Sequence, residues 1–288
     1  MEFNIKKTDY KKYSSKEIQE LFSFYEKNGY VHLGKIISNR FCNILLKRTK
    51  DLMMGKITYK NMFFKLDDPR GNYYNIKHED VKNEKFSGPS QRYKKIKDLE
   101  YDPLFLKCIK SNILKKFADK YVGKNVSSMR AMILNKTSKN SSILPFHQDV
   151  SNKWKMSHKP SFTTWLSLNG ANRKNGCLKI IEGSHKLGIV GHGNNIDKKT
   201  EKKILKRKKV RHLIMNPGEA IIFSNYTIHG SGKNKTTKNR IAFTVCMQNS
   251  KTRNLKTNKT YPKIFGKNSL TYSKISKLKK IPKKVYEI

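Results

Sequence analysis

The chain has 288 residues, 36% of them hydrophobic, and a formal net charge of +42. That length holds one large domain or two small ones with a substantial core. No apolar run reaches membrane-spanning length, and the polar opening MEFNIKKTDYKKYSS lacks the apolar region of a secretory signal, so a cytoplasmic protein is expected.

Residues 14–29 are predicted to form a helix, capped by Ser15, with Ile18, Leu21, Phe22 and Tyr25 at helical spacing and Gly29 as its stop. YVHLGKII then predicts a strand, and residues 40–54 a second helix carrying Phe41, Ile44, Leu45, Leu52 and Met53. Residues 55–101, with Asp67, Asp68, Pro69, Gly71, Gly88 and Pro89, read as loops with short strands. Over 102–121 the pattern is one amphipathic helix: Asp102 caps it, Pro103 takes N1, and Leu106, Ile109, Ile113, Leu114 and Phe117 form its stripe.

From Val126 the period changes to that of strands. Eight short candidates follow: SSMRAMILN, LPFHQDV, SFTTWLSLN, GCLKIIEG, VRHLIM, EAIIFSN, TIHGS and RIAFTVCMQ. A mainly β fold with flanking helices is expected, its core a double-stranded β-helix (jelly roll, cupin-like). The expected organisation is a single domain over 1–250, with a helical preface to 125 and the jelly roll from 126, followed by a basic extension over 251–288.

Partner classes follow from composition. Cys42, Cys108, Cys177 and Cys246 form no CxxC pair, which argues against a zinc knuckle or disulfide framework and for reduced, buried thiols. The cations are 53 Lys and only 10 Arg, whereas recognition of bases and phosphates leans on Arg. Asn is abundant (26) and Ala scarce (5), the bias an A/T-rich genome gives its codons. A nucleic-acid partner is therefore an alternative, not the favoured reading, and oligomeric state is left open.

The chemistry-bearing stretch is LPFHQDV. Residues i and i+2 of a strand share a face, so His147 and Asp149 project together with Gln148 turned away. They supply two thirds of a 2-His-1-carboxylate face for Fe(II). His78 and Asp80 form a second HxD, but in a polar stretch with no packed strand to fix its geometry. For the third ligand His229 is the candidate, at the end of an apolar strand and before a glycine turn, with His185 and His212 as rivals. Arg240 opens the last strand, where a guanidinium could hold a carboxylate bidentately.

HQD, then NGCLKIIEGSH (175–185), then HGSGKNKTTKNR (229–240) resemble the phytanoyl-CoA dioxygenase family of Fe(II)/2-oxoglutarate oxygenases. The family pattern is HxD, an NG-x-L…GSH segment and H-G-S-G-x-N-x-[ST]-x-x-x-R, and the resemblance covers most of 20–248. It implies that His147, Asp149 and His229 bind Fe(II) and that Arg240 pairs with the distal carboxylate of 2-oxoglutarate. It also implies that Met129 and Trp165 line the co-substrate site. Lys136 is a candidate for a second carboxylate contact and Ser231 for a pocket hydrogen bond. The implied reaction consumes O2 and 2-oxoglutarate, releases succinate and CO2, and hydroxylates an unactivated C–H of a small-molecule or lipid-like substrate. Because Asp149 is present, hydroxylation is favoured over halogenation. VSNKWKMSHKP lacks the extended signature of ectoine hydroxylases, so that substrate is not expected, and Trp154, Met156 and His158 read as a loop over the opening.

Overall fold

A computed structural model describes residues 10–67, 85–138, 141, 143–190 and 196–282; the His78/Asp80 pair lies outside them. Helix α1 (Ser15–Asn28) is capped by Ser14 and not by the expected Ser15, because the capping box needs Glu17 three residues on: the Ser14 hydroxyl accepts from the Glu17 backbone while the Glu17 carboxylate accepts from the Ser14 N–H. Gly29 ends it at φ 79°, a conformation that glycine adopts without a Cβ penalty. Strand β1 (Tyr30–Lys35) and helix α2 (Asn39–Met53), capped by Ser38, follow. In the stretch expected to hold loops with short strands lie β2 (Phe64–Leu66) and β3 (Tyr93–Lys97).

The single helix expected over 102–121 is two, α3 (Pro103–Ile109) and α4 (Asn112–Tyr121). The ladder breaks because the Ser111 N–H turns back to Cys108 O, and the Ser111 carbonyl then opens α4 by accepting from Lys115. The apolar stripe survives the break, with all five of its residues buried.

All eight expected strands are present. They are β4 (Val126–Lys136), β5 (Leu144–His147), β6 (Phe162–Ser167), β7 (Leu178–Ile181), β8 (Val210–Leu213), β9 (Glu219–Ser224), β10 (His229–Ser231) and β11 (Arg240–Asn249). They are divided between two antiparallel sheets. The larger runs β1-β9-β6-β11-β4-β3-β2 and the smaller β5-β10-β7-β8, which is the double-stranded β-helix. Helix α5 (Lys198–Leu205), between β7 and β8, has no buried residue and gives no apolar stripe to read. After residue 250, β12 (Lys263–Phe265) pairs with β4, a short helix α6 (Tyr272–Ser276) follows, and Ile264, Ile275 and Ile281 are buried.

The largest core lies between the helices and the outer face of the larger sheet. Phe105 meets Phe243 there (ring centroids 4.9 Å) and Phe117 meets Phe162 (6.4 Å); each buried Phe contributes about 1.5–3 kcal/mol. A second cluster, including Trp165, Leu178, Ile180, Phe223 and Ala242, fills part of the space between the sheets. The rest of that space is a cavity. Among the described residues, no helix is long and apolar enough to cross a membrane.

Candidate metal centre

β10 pairs with β5 so that His229 stands directly opposite His147. Their rings lie 4.2 Å apart between centroids. Asp149 sits just past the end of β5, in a bend held by its N–H donating to Asn225 O at 2.9 Å. His147, Asp149 and His229 each offer a ligand atom within 4.8 Å of the others. The Nδ1 of His147 bonds Pro145 O and that of His229 bonds Thr227 O, both at 2.9 Å. A carbonyl only accepts, so Nδ1 carries the proton in each ring and Nε2 is left as a lone pair facing the centre.

Burial keeps both imidazoles neutral. It lowers His147 to about 3, with His229 as the next cause, and lowers His229 as well. Burial alone would raise Asp149, but Arg130 and the two imidazoles outweigh it and hold the carboxyl well below its ordinary range. Two neutral nitrogens and one carboxylate, with no proton to displace, fit Fe(II).

The motif residues that do not face the metal hold the ones that do. Gln148 is buried and links three segments: Nε2 donates to Gly188 O and Tyr226 O, and Oε1 accepts from the Val190 N–H. Ser184 donates to Ile181 O and accepts from the Ile228 N–H, next to His229. Asn234 donates to Lys136 O and Lys238 O, pinning the loop between His229 and Arg240 onto β4. His185, one of the rivals for the third ligand, instead reaches Glu26 O; His212 lies on β8, 4.0 Å from Cys177.

A cavity of about 280 Å³ extends from the triad along the inner faces of β4, β6 and β11. Arg240 and Lys136 stand opposite each other in register at its far end, 5% and 8% exposed. The Arg240 guanidinium lies over the Trp165 ring (5.2 Å to the centroid), and its Nε and Nη1 are buried without a hydrogen-bond partner. Burial lowers Arg240 to about 10, and burial followed by Arg240 lowers Lys136 to about 7. A desolvated guanidinium with two orphaned donors, crowded by a second basic group, is the complement of a carboxylate. Ser231 is buried on the cavity wall.

Met129 is not among the cavity-lining residues. The β4–β11 register shifts between Cys246 and Met247, and Met129 packs with Met156, Cys246 and Tyr261, against which Trp154 also rests. Trp154 and Met156 thus belong to a satellite cluster. Three groups escaped sequence reasoning. Arg130 meets Asp149 at 2.6 Å; Thr163 bridges Asp149 and Asn225; and β3 brings Lys94, Lys95 and Lys97 to the cavity. An arginine inside the apolar strand SSMRAMILN was the readable signal for the first. The other two needed the sheet order.

Fold and site together define a jelly roll with a buried 2-His-1-carboxylate centre. The phytanoyl-CoA dioxygenase (PhyH) family model matches residues 25–242, and the chain belongs to that family. It is 28% identical over 234 residues to the peroxisomal phytanoyl-CoA dioxygenase of Bos taurus and 26% over 238 residues to that of Homo sapiens. Each match covers 74% of this chain and 63% of the relative. Among solved structures, EctD from S. alaskensis with 2-oxoglutarate and 5-hydroxyectoine aligns over 90% of this chain and 82% of its own (TM-score 0.61, 16% identity). The non-heme alpha ketoglutarate dependent carbocyclase SnoK aligns over 82% and 85% (TM-score 0.61, 14% identity). These two likenesses concern the fold.

Proposed function

We propose that the protein is an Fe(II)- and 2-oxoglutarate-dependent dioxygenase that hydroxylates an unactivated C–H bond. One observation carries this reading: the His147–Asp149–His229 triad, its last two members buried, opens onto the same cavity as the orphaned Arg240 guanidinium. When bound, Fe(II) with 2-oxoglutarate and O2 supplies the oxidising chemistry, which yields succinate and CO2 and places one oxygen atom in the substrate. The chain's part is to bind and orient. His147 and His229 present Nε2 because their Nδ1–H groups are committed to Pro145 O and Thr227 O. Arg240 and Lys136 receive the distal carboxylate of the co-substrate, with Trp165 stacked on the guanidinium and Ser231 adding a hydroxyl at the wall. Met129 acts from the satellite cluster, packed against Cys246.

The reading extends to a small-molecule or lipid-like substrate. In support, Met132, Leu134, Leu144, Leu178 and Phe223 line the cavity beside the triad. The four cysteines, all buried thiols, accord with a cytoplasmic, reducing setting.

Anaerobic loading with Fe(II), followed by 2-oxoglutarate and O2, is expected to give succinate in the wild type. His147→Ala is expected to lose bound iron and at least about a hundredfold of turnover, since the ligand itself is gone. Full turnover by that variant would remove the triad from the mechanism.

A further inference from the structure

Arg130 is the charged group nearest the metal centre that neither the triad nor the carboxylate pocket accounts for. It projects from the inward face of β4, its side chain 11% exposed, with Nη2 2.6 Å from Asp149 Oδ1. That contact makes the two carboxylate oxygens inequivalent. Oδ1 carries a short charge-assisted bond, the strong kind. Oδ2 has the Thr163 hydroxyl at 3.3 Å, and that hydroxyl gives its shorter bond, 2.7 Å, to Asn225. Both oxygens face the ligand imidazoles, Oδ1 3.9 Å from His147 Nε2 and Oδ2 3.8 Å from His229 Nε2, so the Arg130 bond is what sets Oδ1 apart.

We propose that Arg130 is a positioning residue that retains Oδ1 of Asp149, so that the carboxylate ligates the metal through Oδ2 alone. This rests on the oxygenase reading above. A facial triad is useful because its remaining positions are open. Two of these are needed for the keto and carboxylate oxygens of 2-oxoglutarate, which leaves one for O2. A carboxylate free to bind through both oxygens would fill that last position. Arg130 has a second effect of the opposite sense: as a cation bonded to a metal ligand, it competes with the metal for the same negative charge. It therefore keeps a position open at the expense of metal affinity.

The test compares wild type with Arg130→Gln, Arg130→Lys and Arg130→Met. Mn(II) titration followed by EPR reads metal affinity. Nitric oxide added to the anaerobic Fe(II)·2-oxoglutarate form reads the open position through the iron–nitrosyl EPR signal. Arg130→Gln is expected to bind Mn(II) at least about tenfold more tightly, because the competing charge is gone, yet to give a nitrosyl signal several-fold weaker. Arg130→Lys, which keeps the cation, is expected to recover most of both wild-type values. Arg130→Met repeats the test where the Gln variant fails to fold. A wild-type nitrosyl signal in the Gln or Met variant overturns the proposal, and so does weakened Mn(II) binding, which is what a packing defect alone would give. A wild type that binds no metal removes the oxygenase reading and this proposal with it. A wild type that loads normally beside indifferent variants removes only the role of Arg130.

Discussion

Arg240→Met replaces a buried guanidinium with an unbranched apolar chain. In the ligand-free protein the charge is held at a cost: burial takes the group from 12.5 to about 10, a difference of roughly 3 kcal/mol between charged and neutral forms. Its stacking on Trp165, 5.2 Å from the ring centroid, returns roughly 1–2 kcal/mol at a buried site. Removing the charge is therefore expected to stabilise the ligand-free protein by about 1–2 kcal/mol, which raises Tm by roughly 2–3 °C. Co-substrate binding moves the other way. Two charge-assisted hydrogen bonds are lost, at about 1.5–3 kcal/mol each, so affinity for 2-oxoglutarate falls at least about a hundredfold. Differential scanning fluorimetry of the metal-free protein and calorimetric titration of 2-oxoglutarate into the Mn(II) form measure the two. A variant that melts lower and still binds 2-oxoglutarate normally would refute the assignment, because Arg240 would then be a structural cation.

Two further outcomes follow from the same site. Lys136 falls from 10.5 to about 7, so the unfolded chain binds the additional proton between those values; ligand-free stability is expected to rise with pH across that window. Affinity for 2-oxoglutarate, which favours the ammonium, is expected to fall as pH rises past about 7; Lys136→Met should flatten both trends in calorimetric and thermal titrations. Gly29→Ala would place a Cβ 2.3 Å from His185 Nδ1 and 2.7 Å from Thr227 Oγ1, at φ 79°. Strain and overpacking together suggest a loss on the order of 3 kcal/mol. Because Thr227 O orients His229, Mn(II) affinity should drop alongside Tm; thermal melts and metal titration check the pair, and unchanged values in both would show that the loop yields without moving the ligand.

Much of the site was legible because its information is local. His147 and Asp149 are two residues apart, and the NG…GSH and HGSG-x-N segments carry side chains that bond to backbone nearby in the fold, as Ser184 and Asn234 do. The eight core strands were readable from alternation and turn residues, because each buries a face in the cores on either side of the larger sheet or between the two sheets. Elements without that signature were not. Helix α5 is mostly polar, with no fully buried residue and only Ile204 resting against a core cluster; the break at Ser111 leaves the apolar stripe intact and so leaves no mark in the pattern.

The sequence by itself determined the class of fold, the three metal-ligand candidates and an arginine fit for a carboxylate, since these depend on residue type and short-range spacing. Only the tertiary structure decided what surrounds the metal. Arg130, on β4 of the larger sheet, reaches Asp149, just past β5 of the smaller one, and Lys136 crowds Arg240 because β4 and β11 pair in that register. Met129 packs in a satellite cluster with Cys246, Met156 and Tyr261, beside the bulge in the β4–β11 pair. Sheet order and register place residues more than a hundred positions apart within a few ångströms, and burial there sets their charges. Local periodicity carries no trace of either.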